Sequence, residues 1–256
     1  MLERFASTLT SSSEADIRSD VTLGSRLILA QSQSVAISYA PFEHIQYGAK
    51  VVIVGITPGE QQARNALLEA RRQLLAGADH ATVLEKAKVF ASFSGAMRTN
   101  LIAMLDRIGL HRWAGLGSIA ELWTSRSDLA HFTSALRYPV FVNGKNYSSQ
   151  PSMTATPALR GLLVSCLKEE AVALPDAVWI PLGSTATVGV EWVIQQGALK
   201  RENVLIGLPH PSPASMERIK YFLGQKQKRD LSIKTEPIRL DAARERLTAQ
   251  IISLCP

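Results

Sequence analysis

Apolar and polar positions fall along this chain in blocks that read as strands feeding helices. The clearest block spans residues 50–62, K-V-V-I-V-G-I-T-P-G-E-Q-Q. Its β-branched run at 51–54 ends abruptly in Gly55, Pro58 and Gly59, as a buried parallel strand does when it delivers a tight loop at its carboxyl end. A helix follows at once, with Ala63, Ala66, Leu67, Ala70 and Leu74 on one face and Glu60 in the first turn, where the helix dipole favours an acid. Apolar periodicity predicts further helices over 81–90, 97–108, 185–196, 216–223 and 240–251, and one from Pro157 to about Glu170. Gly109 stops the helix that carries Met97, Leu101, Met104, Leu105 and Ile108. Strands are predicted at 129–136, 177–182 and 203–208, with 37–42 approaching the sheet, while turn formers such as Tyr138-Pro139 and Asn143-Gly144 make 137–151 a loop. Residues 1–20 read as a loosely ordered or helical N-terminal extension, and 230–256 as a C-terminal extension with a helix, on a single domain spanning 1–256. The strand–helix alternation predicts an α/β fold, a three-layer α/β/α sandwich with a short, mainly parallel central sheet.

Composition narrows the class. At 256 residues the chain can bury a substantial core. A formal charge of +6 and a pI near 9.5 lean toward a polyanionic partner. Cys166 and Cys255 are the only cysteines, too few for a four-cysteine zinc or iron–sulfur site, and they read as reduced thiols of an intracellular protein. No stretch approaches the roughly 20 apolar residues of a membrane span. Ser/Thr-rich residues 7–13 stand where a secretory signal would carry its apolar core. The expectation is a cytoplasmic monomer with no membrane association, no metal and no cofactor.

Ligand sites in open α/β sheets lie beyond the carboxyl ends of strands. The loop after the first strand has neither G-x-G-x-x-G nor G-K-[ST] spacing, and Pro58 removes a backbone donor, which excludes dinucleotide and Walker-type phosphate cradles. The predicted strand 203–208 runs into Pro209-His210-Pro211-Ser212-Pro213-Ala214-Ser215. Prolines on both sides of His210 restrict its backbone and suit a side chain that must be aimed without ordering cost. Ser212 and Ser215 can cap the next helix, whose first amides can also receive a phosphate. Two strands ending in proline-stiffened loops suggest one active site made from both.

Together the two loops resemble the uracil-DNA glycosylase superfamily, in which the first strand ends in G-x-x-P and the last in H-P-S-P; here they stand as Gly55-Ile56-Thr57-Pro58 and His210-Pro211-Ser212-Pro213. Ala91-Ser92-Phe93-Ser94-Gly95 is similar to the family segment whose Phe stacks on the extruded base, so the resemblance covers roughly residues 48–225. It implies a monofunctional DNA glycosylase that flips out uracil or a modified pyrimidine and hydrolyses its N-glycosidic bond. His210 would stabilise the departing base. Phe93 would stack on the base beside Gly55 and Ile56, and Ser212 with nearby amides would grip phosphates. The basic stretch Lys220, Lys226, Lys228 and Arg229 would add salt-sensitive DNA affinity. Met216 would stand in for the family's intercalating wedge.

The chain also departs from the family. Thr57 occupies the position before the proline, usually Asp or Asn in the most familiar branches, so either Thr57 or the nearby Glu60 would handle the water. The family's uracil-reading Asn is missing from the middle strand; Thr133 or Asn143 could read a base edge instead, or the 137–151 loop could shape a pocket for a bulkier base such as those some phages use. Cys166 matches one ligand of the iron–sulfur branches, but the other ligands are missing and no cluster is expected. These departures keep open a catalytically weak DNA- or base-binding protein, and a nucleoside or nucleotide hydrolase on a similar sheet.

Overall fold

The computed structural model describes residues 1–254, so Cys255 lies outside the described residues. The amino-terminal extension is helical, Leu2–Ser11 (α1) and Glu14–Ser19 (α2), and it is docked rather than loose. Leu2, Phe5 and Leu9 are buried, and the Phe5 ring stacks on Tyr39 at 4.4 Å. Ser13 and Asp16 cap α2 reciprocally. A hairpin, Ile28–Ser32 (β1) and Val35–Ser38 (β2), precedes the strand Val51–Gly55 (β3). Helices Glu60–Leu75 (α3), His80–Ala91 (α4) and Ala96–Arg107 (α5) follow, then the turn Leu110–Trp113 (α6) and the strand Ala130–Ser134 (β4). Val140–Val142 (β5) and Lys145–Asn146 (β6) come next. Helix Pro157–Leu162 (α7) passes through a π turn, Leu163–Leu167, into Lys168–Ala173 (α8). Val178–Pro181 (β7), Gly183–Gln195 (α9), Met216–Phe222 (α10) and Pro237–Ser253 (α11) complete the order.

The central sheet has the order β4-β3-β7, and both pairings are parallel. Every residue of β3 is buried, and its alternating side chains feed two cores. Val52 and Val54 pack with Leu67 of α3, Val83 of α4, Leu159 of α7 and Val190 of α9. Val51 and Ile53 pack with Leu105 of α5, Phe222 of α10 and Leu247 of α11. Burying each of these side chains contributes about 1.5–3 kcal/mol before the entropy of ordering is subtracted. Helices therefore cover both faces of the parallel sheet, and the fold is a three-layer α/β/α sandwich.

Three local expectations are corrected. Residues 203–208 do not form a full strand: Val204 bridges Trp179, and the Leu205 N–H donates to the Trp179 carbonyl at 2.8 Å. Gly207 at φ 127° then turns the chain, and the following prolines offer no donors to extend a ladder. Residues 137–151 are not merely a loop, since they contain β5 and β6. Asn143 and Gly144, at φ 50° and 74°, make the tight turn between these strands, so the Asn-Gly pair marked a hairpin. Finally, 37–42 does not join the parallel sheet, although Phe42 reaches the end of β4. β2 pairs with β5 (Ile37 opposite Val140) in a separate antiparallel sheet of order β1-β2-β5-β6, and its inner side packs on the first core.

Candidate functional site

The loops at the carboxyl ends of β3 and β4 meet over Gly55. A Cβ there would stand 3.2 Å from both Phe93 Cε1 and Ser134 Oγ, so glycine is what lets the Phe93 ring and β4 close on the strand end. Phe93 sits between α4 and α5 at φ 52°, a region that side-chain-bearing residues rarely occupy. Its surroundings hold it there. Ser92 Oγ donates to the Lys88 carbonyl at 2.6 Å, and Trp123 Nε1 donates to the Ser92 carbonyl at 3.0 Å. The Arg98 guanidinium donates to the Phe90 and Ser92 carbonyls and lies 5.3 Å over the Trp123 ring. Phe132 stacks on Trp123 at 4.5 Å and meets Phe93 edge-on at 6.2 Å.

Phe93 and Phe132 line a pocket with Pro58, Gln62, Ser134 and Arg137, and Thr133 also reaches it. Its volume of about 10 Å³ is the room of a single water. Gln62, Ser134 and Arg137 were missed from sequence. Ser134 had one available signal, its place at the end of the middle strand beside Thr133. Its hydroxyl has no hydrogen-bond partner among the described residues and is open to a ligand.

The first loop uses its polar groups to hold itself in place. Thr57 Oγ1 donates to the Tyr138 carbonyl at 2.9 Å and accepts from the Val140 N–H at 3.1 Å, latching the loop to the segment that leads into β5. The Glu60 carboxylate is exposed and pairs with Arg64. Asn146 Oδ1, from β6, accepts from the Glu60 N–H at 3.0 Å. Asn143 is at the exposed hairpin tip, outside the pocket lining, with its N–H on the Ser34 carbonyl. It is Asn146 that reaches the first loop. Ile56 is half-buried against the first core.

Beneath the pocket lies a buried charge cluster that no local sequence signal announced. Glu170 is fully buried, on the inward side of the helix that passes through the π turn. It accepts from Arg137 Nε and Nη2 at 3.0 and 2.8 Å and from Thr133 Oγ1 at 2.7 Å. Lys88 Nζ and His131 Nε2 lie 3.9 and 3.4 Å from the same carboxylate. Burial opposes its charge, but His131, Lys88 and Arg137 outweigh burial and hold the carboxyl well below its usual range. Burial and the Lys88 charge push His131 down to about 4, which leaves it neutral at pH 7. Burial pushes Lys88 down to about 8 against the pull of Glu170. The carboxylate aligns Thr133 and Arg137 from below, and Thr133 spends its hydroxyl proton on it.

His210 comes from the other edge of the sheet, beyond β7, in the loop after Leu208, whose carbonyl accepts from the Gly183 N–H at 3.1 Å. It does not line the Phe93 pocket but opens on a separate, larger groove. Gly183, at φ 78°, brings the start of α9 so close that an added Cβ would stand 3.1 Å from His210 Cβ. Asn100 of α5 donates to the Pro211 carbonyl at 2.9 Å and ties the loop to the helix that follows Phe93. Burial lowers the His210 pKa, and its Nδ1 accepts from the Ser212 N–H at 3.3 Å. The neutral ring therefore carries its proton on Nε2, as a donor.

The proposed DNA contacts fare unevenly. Ser212, Ser215 and Met216 are half-buried around the start of α10, while Lys220, Lys228 and Arg229 are exposed. Lys226 is committed elsewhere. Its Nζ lies 2.7 Å from Glu217, which also accepts from Ser232 and Thr235 and so pins the chain after α10.

The fold and site define an α/β sandwich with paired loops at the carboxyl end of a parallel sheet, one carrying an aromatic pocket and the other a neutral histidine. The chain belongs to the family of the uncharacterized protein YoxB of Bacillus subtilis (strain 168), with 36% identity over 221 residues, 85% of this chain and 86% of that protein. No family model matches the chain, and no solved structure matches it. Among the described residues no helix is long and apolar enough to cross a membrane, and no group of three or more His, Cys, Asp or Glu is placed to hold a metal ion.

Proposed function

We propose that this protein is a monofunctional DNA glycosylase of the uracil-DNA glycosylase type, acting in the cytoplasm as a monomer. It turns uracil or a modified pyrimidine, such as a hypermodified cytosine of phage DNA, out of the stack and hydrolyses its N-glycosidic bond. The observation that carries this proposal is His210: a neutral imidazole in a proline-stiffened loop, its Nδ1 occupied by a backbone N–H and its Nε2–H left to donate.

The C1′–N bond breaks with its electron pair leaving on the base. Positive charge develops on the sugar and negative charge on the base oxygen that meets His210 Nε2–H. One such preorganised donor is worth about 2.7–4 kcal/mol of barrier, or roughly 10²–10³ in rate. Water adds to C1′ and releases a proton, while the departing base anion takes one from solvent. An oxocarbenium-like sugar accepts neutral water readily, so the reaction tolerates the absence of a strong base at Thr57. Phe93 offers the stacking face, while Ser134 Oγ and the Gln62 amide, which line the same pocket, would read the base edge. The closed pocket must widen to admit a pyrimidine, a cost added to the few kcal/mol of unstacking.

A second possibility has its own support. The Thr57 hydroxyl is engaged in both directions and Glu60 is paired with Arg64, which favours a protein that binds DNA or a base with little turnover. Mass spectrometry of bases released from DNAs containing uracil, hydroxymethylcytosine and glucosylated hydroxymethylcytosine tests both, with His210→Ala as control. Release that depends on His210 supports the glycosylase. Tight binding with no release after long incubation supports the binder, and release from free nucleosides alone would refute both.

A further inference from the structure

A groove much larger than the Phe93 pocket, about 600 Å³ in volume, runs from His210 toward the carboxyl-terminal helix. One wall is the start of α9 and residues 206–210. The other is Arg218 of α10 together with the C-terminal extension, the part of the chain to which the sequence motifs assign no role. Four cations line it, Arg218, Lys234, Arg239 and Arg246, against one carboxylate, Glu236.

All four are exposed, and none is paired with a carboxylate among the described residues. Arg218 Nη2 donates to the Lys234 carbonyl at 3.3 Å, and Arg246 Nη2 to the Ile206 carbonyl at 3.0 Å. Carbonyls orient these guanidinium groups without cancelling their charge. By contrast Arg244, on the same helix, is neutralised by Asp241 at 2.9 Å. The Lys234 and Arg239 side chains have no hydrogen-bond or ion-pair partner among the described residues. Gly207 makes the arrangement possible: a Cβ there would stand 2.9 Å from Arg246 Nη2 and 3.0 Å from Ala243 Cβ, so only glycine lets α11 press on this segment. Arg239 and Arg246 are seven residues apart on α11, about two turns or ~10 Å along its axis. Several uncancelled cations lining one groove with His210 fit a ligand with repeated negative charge better than a compact neutral one.

We infer that this groove carries the phosphodiester backbone of the DNA strand flanking the extruded nucleotide, with Lys234, Arg239, Arg218 and Arg246 as phosphate contacts. Its ligand identity rests on the glycosylase proposal, and it moves part of the DNA surface from residues 220–229 to the C-terminal extension.

The test is a Lys234→Gln/Arg239→Gln variant of the full chain, chosen because neither side chain holds a partner, with thermal unfolding as a check on folding. Binding of a fluorescent oligonucleotide is followed by anisotropy over a series of NaCl concentrations. Loss of two phosphate contacts should make the slope of log K against log salt shallower by about 1.4–1.8. An unchanged slope overturns the groove as a backbone track, even if bases are still released. A shallower slope with no base released from any DNA keeps the track and removes the glycosylase. Should inorganic pyrophosphate or a mononucleotide bind wild type as tightly as the oligonucleotide does, the groove is a small-anion site and the strand assignment falls.

Discussion

Replacing Glu170 with Gln removes one charge and almost no volume from the cluster beneath the pocket. The carboxylate takes two bonds from Arg137 and one from Thr133, with Lys88 Nζ 3.9 Å away. Without it, two buried cations face each other with no counter-charge in the cluster. Breaking a buried pair by removing one partner costs about 3–5 kcal/mol. The Gln oxygen can still accept one of the three bonds, which places the expected loss near the lower end, about 3 kcal/mol. In a chain of this size each kcal/mol moves Tm by about 2–4 °C, so thermal unfolding at pH 7 should shift down by roughly 6–12 °C. Adding Lys88→Met removes the surplus cation and should return part of that loss, a coupling of about 1 kcal/mol or more in a double-mutant cycle. A Tm within about 2 °C of wild type for Glu170→Gln alone would refute the idea that charge organises this cluster. The pH dependence has a definite sign. The folded pKa of Glu170 is depressed, so its stabilisation is present at neutral pH and is lost as pH falls below about 4.3. His131 is depressed to about 4, so the unfolded chain takes up that proton first, and stability falls as pH drops from about 6.5 toward 4.

Other predictions follow from the same geometry. Thr57→Val breaks the latch and leaves the Val140 N–H unpaired, which should cost about 1–3 kcal/mol in urea denaturation; lost base release with unchanged stability would assign Thr57 to the water instead. Gly189→Ala puts a methyl 2.6 Å from Ala135 Cβ and should destabilise by about 1–3 kcal/mol through overpacking of α9. A neutral result in thermal unfolding would mean that α9 packs less tightly than this distance requires. His210→Ala should lower single-turnover base release by about 10²–10³ at unchanged DNA affinity, and an equal loss of affinity would make His210 a binding residue. Because burial keeps its pKa below the ordinary imidazole value, the wild-type rate should be flat between about pH 6.5 and 8. A rate that tracks imidazole titration within that window would count against a neutral donor.

The sequence by itself determined the elements whose signals are local. The run of β-branched residues before Gly55 could only be a buried strand, and the apolar stripes on α3, α5 and α11 fixed those helices to within a few residues. The strand–helix alternation then implied layers around a parallel sheet, and the prolines around His210 marked a rigid loop. What tertiary structure decided depends on partners distant along the chain. The Thr57 hydroxyl reads as a water handler until it meets Tyr138 and Val140, 81 and 83 positions away. Lys226 reads as a DNA contact until Glu217, nine positions earlier on α10, takes it. Glu170 marks the approximate end of a helix that periodicity predicts, yet the π turn and packing bury it where Arg137, Thr133, Lys88 and His131 converge. The basic groove likewise exists only because Gly207 admits α11 against residues 206–210. Periodicity reports which face of an element is buried, since that depends on near neighbours. Which polar groups meet across that face is set by how the layers pack, and no local pattern records it.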